Sequence, residues 1–471
     1  MKILCLMLFL LAGCDANSNG DVTQVSIEDT EVAQEMRVLV IGAGMAGLTA
    51  ARALHEDGID VTVLEARDRI GGRVWTKDIE GASIELGAWF IHGVNKSPLA
   101  DFSKGQNIDY TPYDLLSSAT VWDSASARTV SAWNSVVMGR APLQFIRDLP
   151  DLRSQLGATA DAHSSVDFWL NQTRWEGRDR RLAQYTIESL LIEVGVSGPS
   201  DQTSLEWLFE GETLSGGDHV PEGGMKAVAE AMAEGLTIEL EQVVEQVNMT
   251  DHHVEVVTSA GDTWTGSHVV VTVPLGVLKA GAIAFSPPLP DEKLAAINRL
   301  DMGNVERVVL RYDEQWWDAG DLIFVSETPD GRFPFLVDFT ADTGVPTLVA
   351  FYGGRYSREL QHTKSDAEIV ADVVSLLEEV YGRPSPTPLR HEVTHWTTNP
   401  YSLGSYAYIP VGASNNDFEV LAEPVGTRLL FAGEATAFTH HQTVHGAMLT
   451  GLREAKRLGV TDVKIPGLEE W

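Results

Sequence analysis

The run Val38-Leu39-Val40-Ile41-Gly42-Ala43-Gly44-Met45-Ala46-Gly47 places a G-x-G-x-x-G spacing directly behind four apolar residues and ahead of an alanine-rich stretch. Four consecutive apolar residues suit a parallel strand buried on both faces, and Met45 to His55 suits a helix packed on it. The turn between them aims unpaired backbone N–H groups and the positive end of the helix dipole at one point, where a pyrophosphate binds without lysine. Ile59 to Leu64 reads as the second strand and ends at Glu65. That acid stands about 20 residues past the glycines, the spacing from which a carboxylate accepts ribose hydroxyls and disfavours a 2′-phosphate. Strand, glycines, helix and acid together predict a dinucleotide site that rejects NADP, without saying which dinucleotide it takes.

Further buried-strand runs occur far downstream, at Val269 to Val273 and Leu429 to Ala432, each followed closely by Gly, Pro or an acid. They join the first two strands in one discontinuous domain, expected over 36–100, 216–285 and 388–465. Between them, Asp101 to Gly211 is rich in helix formers and tryptophan, whereas Arg307 to Phe351 alternates like antiparallel strands. These stretches predict a second, α+β, substrate-binding domain over 101–215 and 286–387. The fold class is thus α/β, a Rossmann-like domain with a second domain inserted, and 471 residues suffice for both.

The formal net charge of −33 excludes nucleic acid as an expected partner, since a polyphosphate is bound by clustered Lys and Arg. A cationic small molecule is attracted instead, although acidity alone also serves solubility. Both cysteines, Cys5 and Cys14, lie at the N-terminus. The folded body therefore has no thiol nucleophile, no disulfide and no cysteinyl cofactor link. Residues 1–14 combine Lys2, an apolar run from Ile3 to Leu11 and the small residues Ala12 and Gly13, the layout of an export signal too short to span a bilayer. Leu11-Ala12-Gly13-Cys14 resembles a bacterial lipobox, which implies a lipid anchor at Cys14 and a membrane-tethered protein of the bacterial envelope. Residues 15–35, polar and acidic, read as a flexible tether.

Glu65-Ala66-Arg67-Asp68-Arg69-Ile70-Gly71-Gly72-Arg73 resembles the second flavin motif of the flavin amine oxidases. Gly71 and Gly72 let the backbone approach the cofactor, and Arg67 and Arg73 supply charge near the diphosphate. Glu85 to Gly93, containing Gly87, Ala88, Trp89 and Phe90, follows in family order, then Leu240 to Val247 and Thr272 to Lys279. Phe431-Ala432-Gly433-Glu434-Ala435-Thr436 and Thr443-Val444-His445-Gly446-Ala447 are similar to the last flavin motif. The resemblance spans nearly all of Arg37 to Leu458. It implies FAD, with Val244 meeting the adenine by its backbone, Glu434 holding ribitol or phosphate, and Thr443 and Val444 beside the ring.

The same resemblance implies the substrate side. His92 is similar to a histidine near the amine in polyamine and spermine oxidases. Trp396, Asn399-Pro400-Tyr401 and Gly404-Ser405-Tyr406 resemble the stretch lining the flavin's substrate face in polyamine oxidases and histone lysine demethylases, where aromatic faces orient the amine. Each aromatic residue also suits plain core packing. A second aromatic wall is missing, since Gln442 and Thr443 stand there. Arg307 replaces the family lysine that holds a water against the flavin, and arginine cannot serve as a base. Glu206, Glu210 and Glu212 are candidates for distal ammonium groups, although acids on loops are usually solvated.

The expected reaction is oxidation of an amine, foremost a polyamine, to an imine and then an aldehyde, with oxygen reduced to hydrogen peroxide. No metal site is expected. One alternative is an L-amino acid oxidase using Arg307, Arg332 or Arg355 for the carboxylate. Another is a flavin-loaded binding lipoprotein without turnover.

Overall fold

A computed structural model of the chain describes residues 36–113, 120–123, 128–131, 136–318, 322–326 and 333–471. The expected signal, anchor and tether lie outside the described residues.

The strand Arg37–Ile41 is followed by the helix Met45–Glu56 and the strand Asp60–Leu64, the βαβ unit read from the glycine motif. Five parallel strands form the central sheet, in the order Thr237–Glu239, Asp60–Leu64, Arg37–Ile41, His268–Val271 and Leu429–Phe431. Both faces are covered. Val38 and Val40 enter one core with Leu48, Leu54 and Met448, while Leu39 and Ile41 enter another with Val247, Val269 and Phe431. Side chains alternate between faces along a strand, so a run apolar at every position is what a doubly covered sheet requires. The first core is closed by the C-terminal helix Val444–Arg457, which crosses Met45–Glu56 at Gly451. A Cβ at Gly451 would stand 2.4 Å from the Ala46 carbonyl oxygen, so this close helix contact needs glycine.

The second large sheet has seven strands, ordered Arg390–Val393, Glu306–Arg311, Thr347–Tyr352, Phe335–Asp338, Leu322–Ser326, Thr120–Asp123 and Arg128–Ser131. Its pairs are antiparallel except that between Leu322–Ser326 and Thr120–Asp123, which is parallel. Val309, Val337, Val349 and Phe351 face a core shared with the helices Val136–Leu156, Ala162–Gln172 and Gly177–Tyr185. Val308, Leu310, Leu348 and Ala350 face the opposite core, which includes Val373 and Leu377 of the helix Asp366–Tyr381.

Two features differ from the sequence reading, and a third lies where it made no assignment. The helix-rich stretch after Asp101 also contains the strands Tyr110–Pro112, Thr120–Asp123 and Arg128–Ser131, too short to leave a periodic signal. Thr186–Val196 is a π-helix, whose extra residue per turn leaves no mark in an apolar sequence. Val244–Met249 belongs to a four-stranded sheet with Val254–Thr258, Thr263–Gly266 and Ala284–Ser286.

At Gly47, inside the glycine motif, a Cβ would lie 2.0 Å from the Gly42 carbonyl oxygen. Gly47→Ala is therefore expected to destabilise the protein by about 1–3 kcal/mol through overpacking and to lower flavin retention. Urea denaturation together with absorbance at flavin wavelengths checks both effects.

Candidate active site

The two glycine motifs lie against each other. Gly71 N–H donates to the Ala43 carbonyl at 2.8 Å, and a Cβ on Gly72 would come within 3.2 Å of the Gly44 α-carbon. Gly42 has φ +105° and little room, a Cβ there meeting Thr272 Oγ1 at 2.8 Å. Gly44 is different: a Cβ there would meet nothing within 4 Å. Gly433, at φ +136°, is open in the same way. Packed glycines thus flank open ones, forming a cradle at the start of the helix that opens with the buried Met45 and Ala46. Helix N–H groups reach a phosphate there, so the residues fit the pyrophosphate of FAD.

Glu65 is buried, and both carboxylate oxygens accept backbone N–H groups, from Ala43 at 2.7 Å and Arg67 at 2.9 Å. The acid read as a ribose acceptor therefore also braces the glycine turn. Ala66 follows half-buried, and Val244 is buried at the head of its strand. Arg67 donates to Asn399 Oδ1 at 3.1 Å and lies over the Tyr401 ring. Arg73 donates to the Ser405 carbonyl at 3.0 Å and pairs with Glu434 at 2.8 Å. The charges read for the diphosphate region are thus held within the protein, where they fix the 396–406 segment.

Gly87 is required by proximity, since a Cβ there would stand 1.9 Å from the Arg73 carbonyl oxygen, which also accepts Ala88 N–H. Trp89 and Phe90 follow, stacked with ring centroids 4.1 Å apart. Trp89 continues to Phe351 at 6.3 Å, and the Arg307 guanidinium lies 4.8 Å over the Phe351 ring. Phe90 continues to His92 at 5.7 Å, and His92 Nδ1 is 2.9 Å from Asp218 Oδ1. An aromatic wall therefore runs from Arg307 to the exposed His92–Asp218 pair. Arg307 donates to the Glu85 carbonyl, and burial pushes its guanidinium down to about 10, so it remains a cation at neutral pH.

Trp396 is buried, with its Nε1–H on the Leu86 carbonyl at 3.1 Å and its ring edge-on to Trp75. Tyr406 donates to the Val194 carbonyl at 2.5 Å, and burial raises its pKa. Thr443 caps the last helix, its side chain accepting Gly446 N–H, and Val444 begins that helix. Of the proposed ammonium acceptors, Glu210 pairs with Arg153, and Glu212 is exposed 3.9 Å from His440. Arg355 pairs with Asp201 at the surface, and Arg332 lies outside the described residues.

The sequence reading missed Glu306. Fully buried, it accepts from Thr394 Oγ1 at 2.6 Å, Trp396 N at 3.0 Å, and the N–H and hydroxyl of Thr397 at 2.7 and 2.8 Å. Burial still raises its pKa. It fixes the backbone that carries Trp396, and a lone acid heading an apolar strand was the available cue. His445 was read only as part of a motif. It is buried in the first turn of the last helix, edge-on to His440 at 5.1 Å.

A Rossmann-like domain with a glycine cradle, joined to an aromatic-walled sheet, defines a flavin-dependent oxidoreductase of the amine oxidase fold. The sequence model described as "flavin containing amine oxidoreductase" matches residues 45–459, and the chain belongs to that family. Lysine-specific histone demethylase 1 homolog 3 of Arabidopsis thaliana is 32% identical, the match covering 91% of this chain and 30% of the relative. Human lysine-specific histone demethylase 2 is 30% identical, with 89% and 53% covered. The chain thus spans only part of the length of these relatives. Among solved structures, putrescine oxidase bound to putrescine superposes with a TM-score of 0.73 at 22% identity, over 90% of this chain and 98% of that one.

Burial, reinforced by the charges of His440 and His92, pushes His445 down to about 3. An imidazole held neutral in the fold stabilises it above the unfolded pKa of about 6.5, and that stability is lost as pH falls toward 3. His445→Gln is expected to flatten the decline in stability below about pH 6.5. Urea denaturation at stepped pH measures the slope.

Proposed function

We propose that the protein oxidises a polyamine to an imine, hydrolysed to an aldehyde and a smaller amine, with oxygen reduced to hydrogen peroxide. The observation that carries this reading is the aromatic wall from Arg307 through Phe351, Trp89 and Phe90 to His92, ending at Asp218. Ring faces receive the alkyl chain and the reacting nitrogen, while a carboxylate at the far end suits a second ammonium. The net charge of −33 draws a polycation toward the protein. The solved putrescine oxidase complex, similar in fold, supports the same substrate class.

FAD, held without a cysteinyl bond because both cysteines precede residue 15, supplies the hydride acceptor. The chain's own part is positioning. Glu306 sets Trp396, the Val194 carbonyl sets Tyr406, and Arg307 provides a fixed cation and hydrogen-bond donor beside the wall. Cys14 carries a lipid that tethers the protein to a bacterial envelope membrane, through the polar segment 15–35.

Anaerobic mixing with spermine, spermidine, acetylated polyamines, aromatic amines and amino acids tests the chemistry. Flavin absorbance is expected to bleach with a polyamine, and peroxide to form when air is admitted. Bleaching by amino acids alone would assign an L-amino acid oxidase; no bleaching with FAD bound would point to a binding protein, and Arg307→Lys then asks whether turnover returns. The bleaching rate should fall by about tenfold between 10 and 200 mM salt if charge steers the substrate. For the anchor, Cys14→Ser is expected to move the protein from the membrane to the soluble fraction of the source cells, with radiolabelled palmitate incorporation lost.

A further inference from the structure

Gln442 has φ +68°, a left-handed backbone that residues with a side chain adopt only where their surroundings impose it. Those surroundings are specific. Its Nε2 donates to the Val196 carbonyl at 2.8 Å and to the Ala407 carbonyl at 2.7 Å, and its backbone N–H donates to Glu434 Oε2 at 3.0 Å. Val196 is the last residue of the π-helix, where carbonyls lack partners within the helix. Two carbonyls in the last turn of that helix are thus satisfied by side chains from elsewhere, Val196 by Gln442 and Val194 by the Tyr406 hydroxyl. Ala407 directly follows Tyr406, and Gln442 directly precedes Thr443, the cap of the last helix.

We propose that Gln442 is a positioning residue that locks Tyr406 between the π-helix and the start of the C-terminal helix, setting the tyrosine ring at the orientation the amine requires. The amide holds the residue after the ring, and the π-helix to which it is tied holds the hydroxyl. Among uncharged side chains of this length, glutamine alone offers two N–H donors. Glutamate would turn an anion toward two carbonyls, beside the Glu434 carboxylate. The inference rests on the amine oxidase reading, because the ring's orientation matters only if it faces an amine.

The test uses the flavin-loaded protein with Gln442→Met, which keeps length and loses both donors, and Gln442→Gly, which loses the side chain while making the positive φ free of strain. Both variants are expected to bind flavin at the wild-type ratio. Amide hydrogen exchange should accelerate in peptides covering 192–197 and 405–408, while the glycine-motif peptides near 42–47 stay unchanged. With the polyamine that bleaches the wild-type flavin, KM should rise about tenfold, the scale of losing one to two net hydrogen bonds, with kcat changing less. Tyr406→Phe should accelerate exchange at 192–197 and raise KM in the same direction. Unchanged exchange in both segments would overturn the proposal, as would faster exchange with wild-type KM and kcat. If the wild type oxidises no amine, the functional reading fails on its own. The lock itself is still decided by exchange, which Gln442→Met must alter at both segments.

Discussion

The buried carboxylate of Glu434 is the point on which the site depends. It accepts from Arg73 Nη1 at 2.8 Å and from the backbone N–H groups of Gln442, at 3.0 Å, and Ala407, at 3.3 Å. A buried charge is tolerable only with such partners, and removing one of them leaves the remainder poorly satisfied. Three segments far apart in the chain are thereby required to converge. They are the second flavin motif, the stretch carrying Tyr406 and the loop leading into the last helix. Arg73 extends the link to the Ser405 carbonyl, and Arg67 adds a parallel one to Asn399. The residues that read as cofactor ligands are therefore also the ones that hang the segment from Trp396 to Ala407 on the glycine cradle.

The seven-stranded sheet supplies the other half by alternation. In Glu306–Arg311, Glu306 shares a parity with Val308 and Leu310, and Arg307 shares one with Val309. Adjacent residues therefore serve different purposes. Glu306 turns its carboxylate to four donors and fixes the Trp396 backbone, while Arg307 turns to the Phe351 face and the Glu85 carbonyl. Exchanging the two would place the cation among aliphatic side chains and leave the tryptophan loop without its acceptor, so their order in the strand carries information that neither residue carries alone.

Much of this was legible in the sequence. The run Val38 to Ile41 announced a doubly covered parallel strand because apolar residues filled both parities, and the G-x-G-x-x-G announced the turn because a Cβ has no room at Gly47. The Glu-Ala-Arg-x-Arg-x-Gly-Gly-Arg resemblance pointed to the family. Less legible were the π-helix, since a largely apolar Thr186–Val196 reads equally well as an α-helix, and the Ser405 and Val194 carbonyls that accept from Arg73 and Tyr406, which any residue provides.

By itself, the sequence determined the elements whose cause is local: strands from side-chain parity, the tight turn from glycine, and the acidity from the count of carboxylates. Tertiary structure decided the pairings across hundreds of residues: Glu434 with Arg73, Glu306 with the Trp396 backbone, Gln442 with Val196, and the order of rings from Arg307 to His92. The physical reason is that a hydrogen bond or ring contact depends on where two groups meet in space, and sheet register and helix packing, not spacing along the chain, set that place.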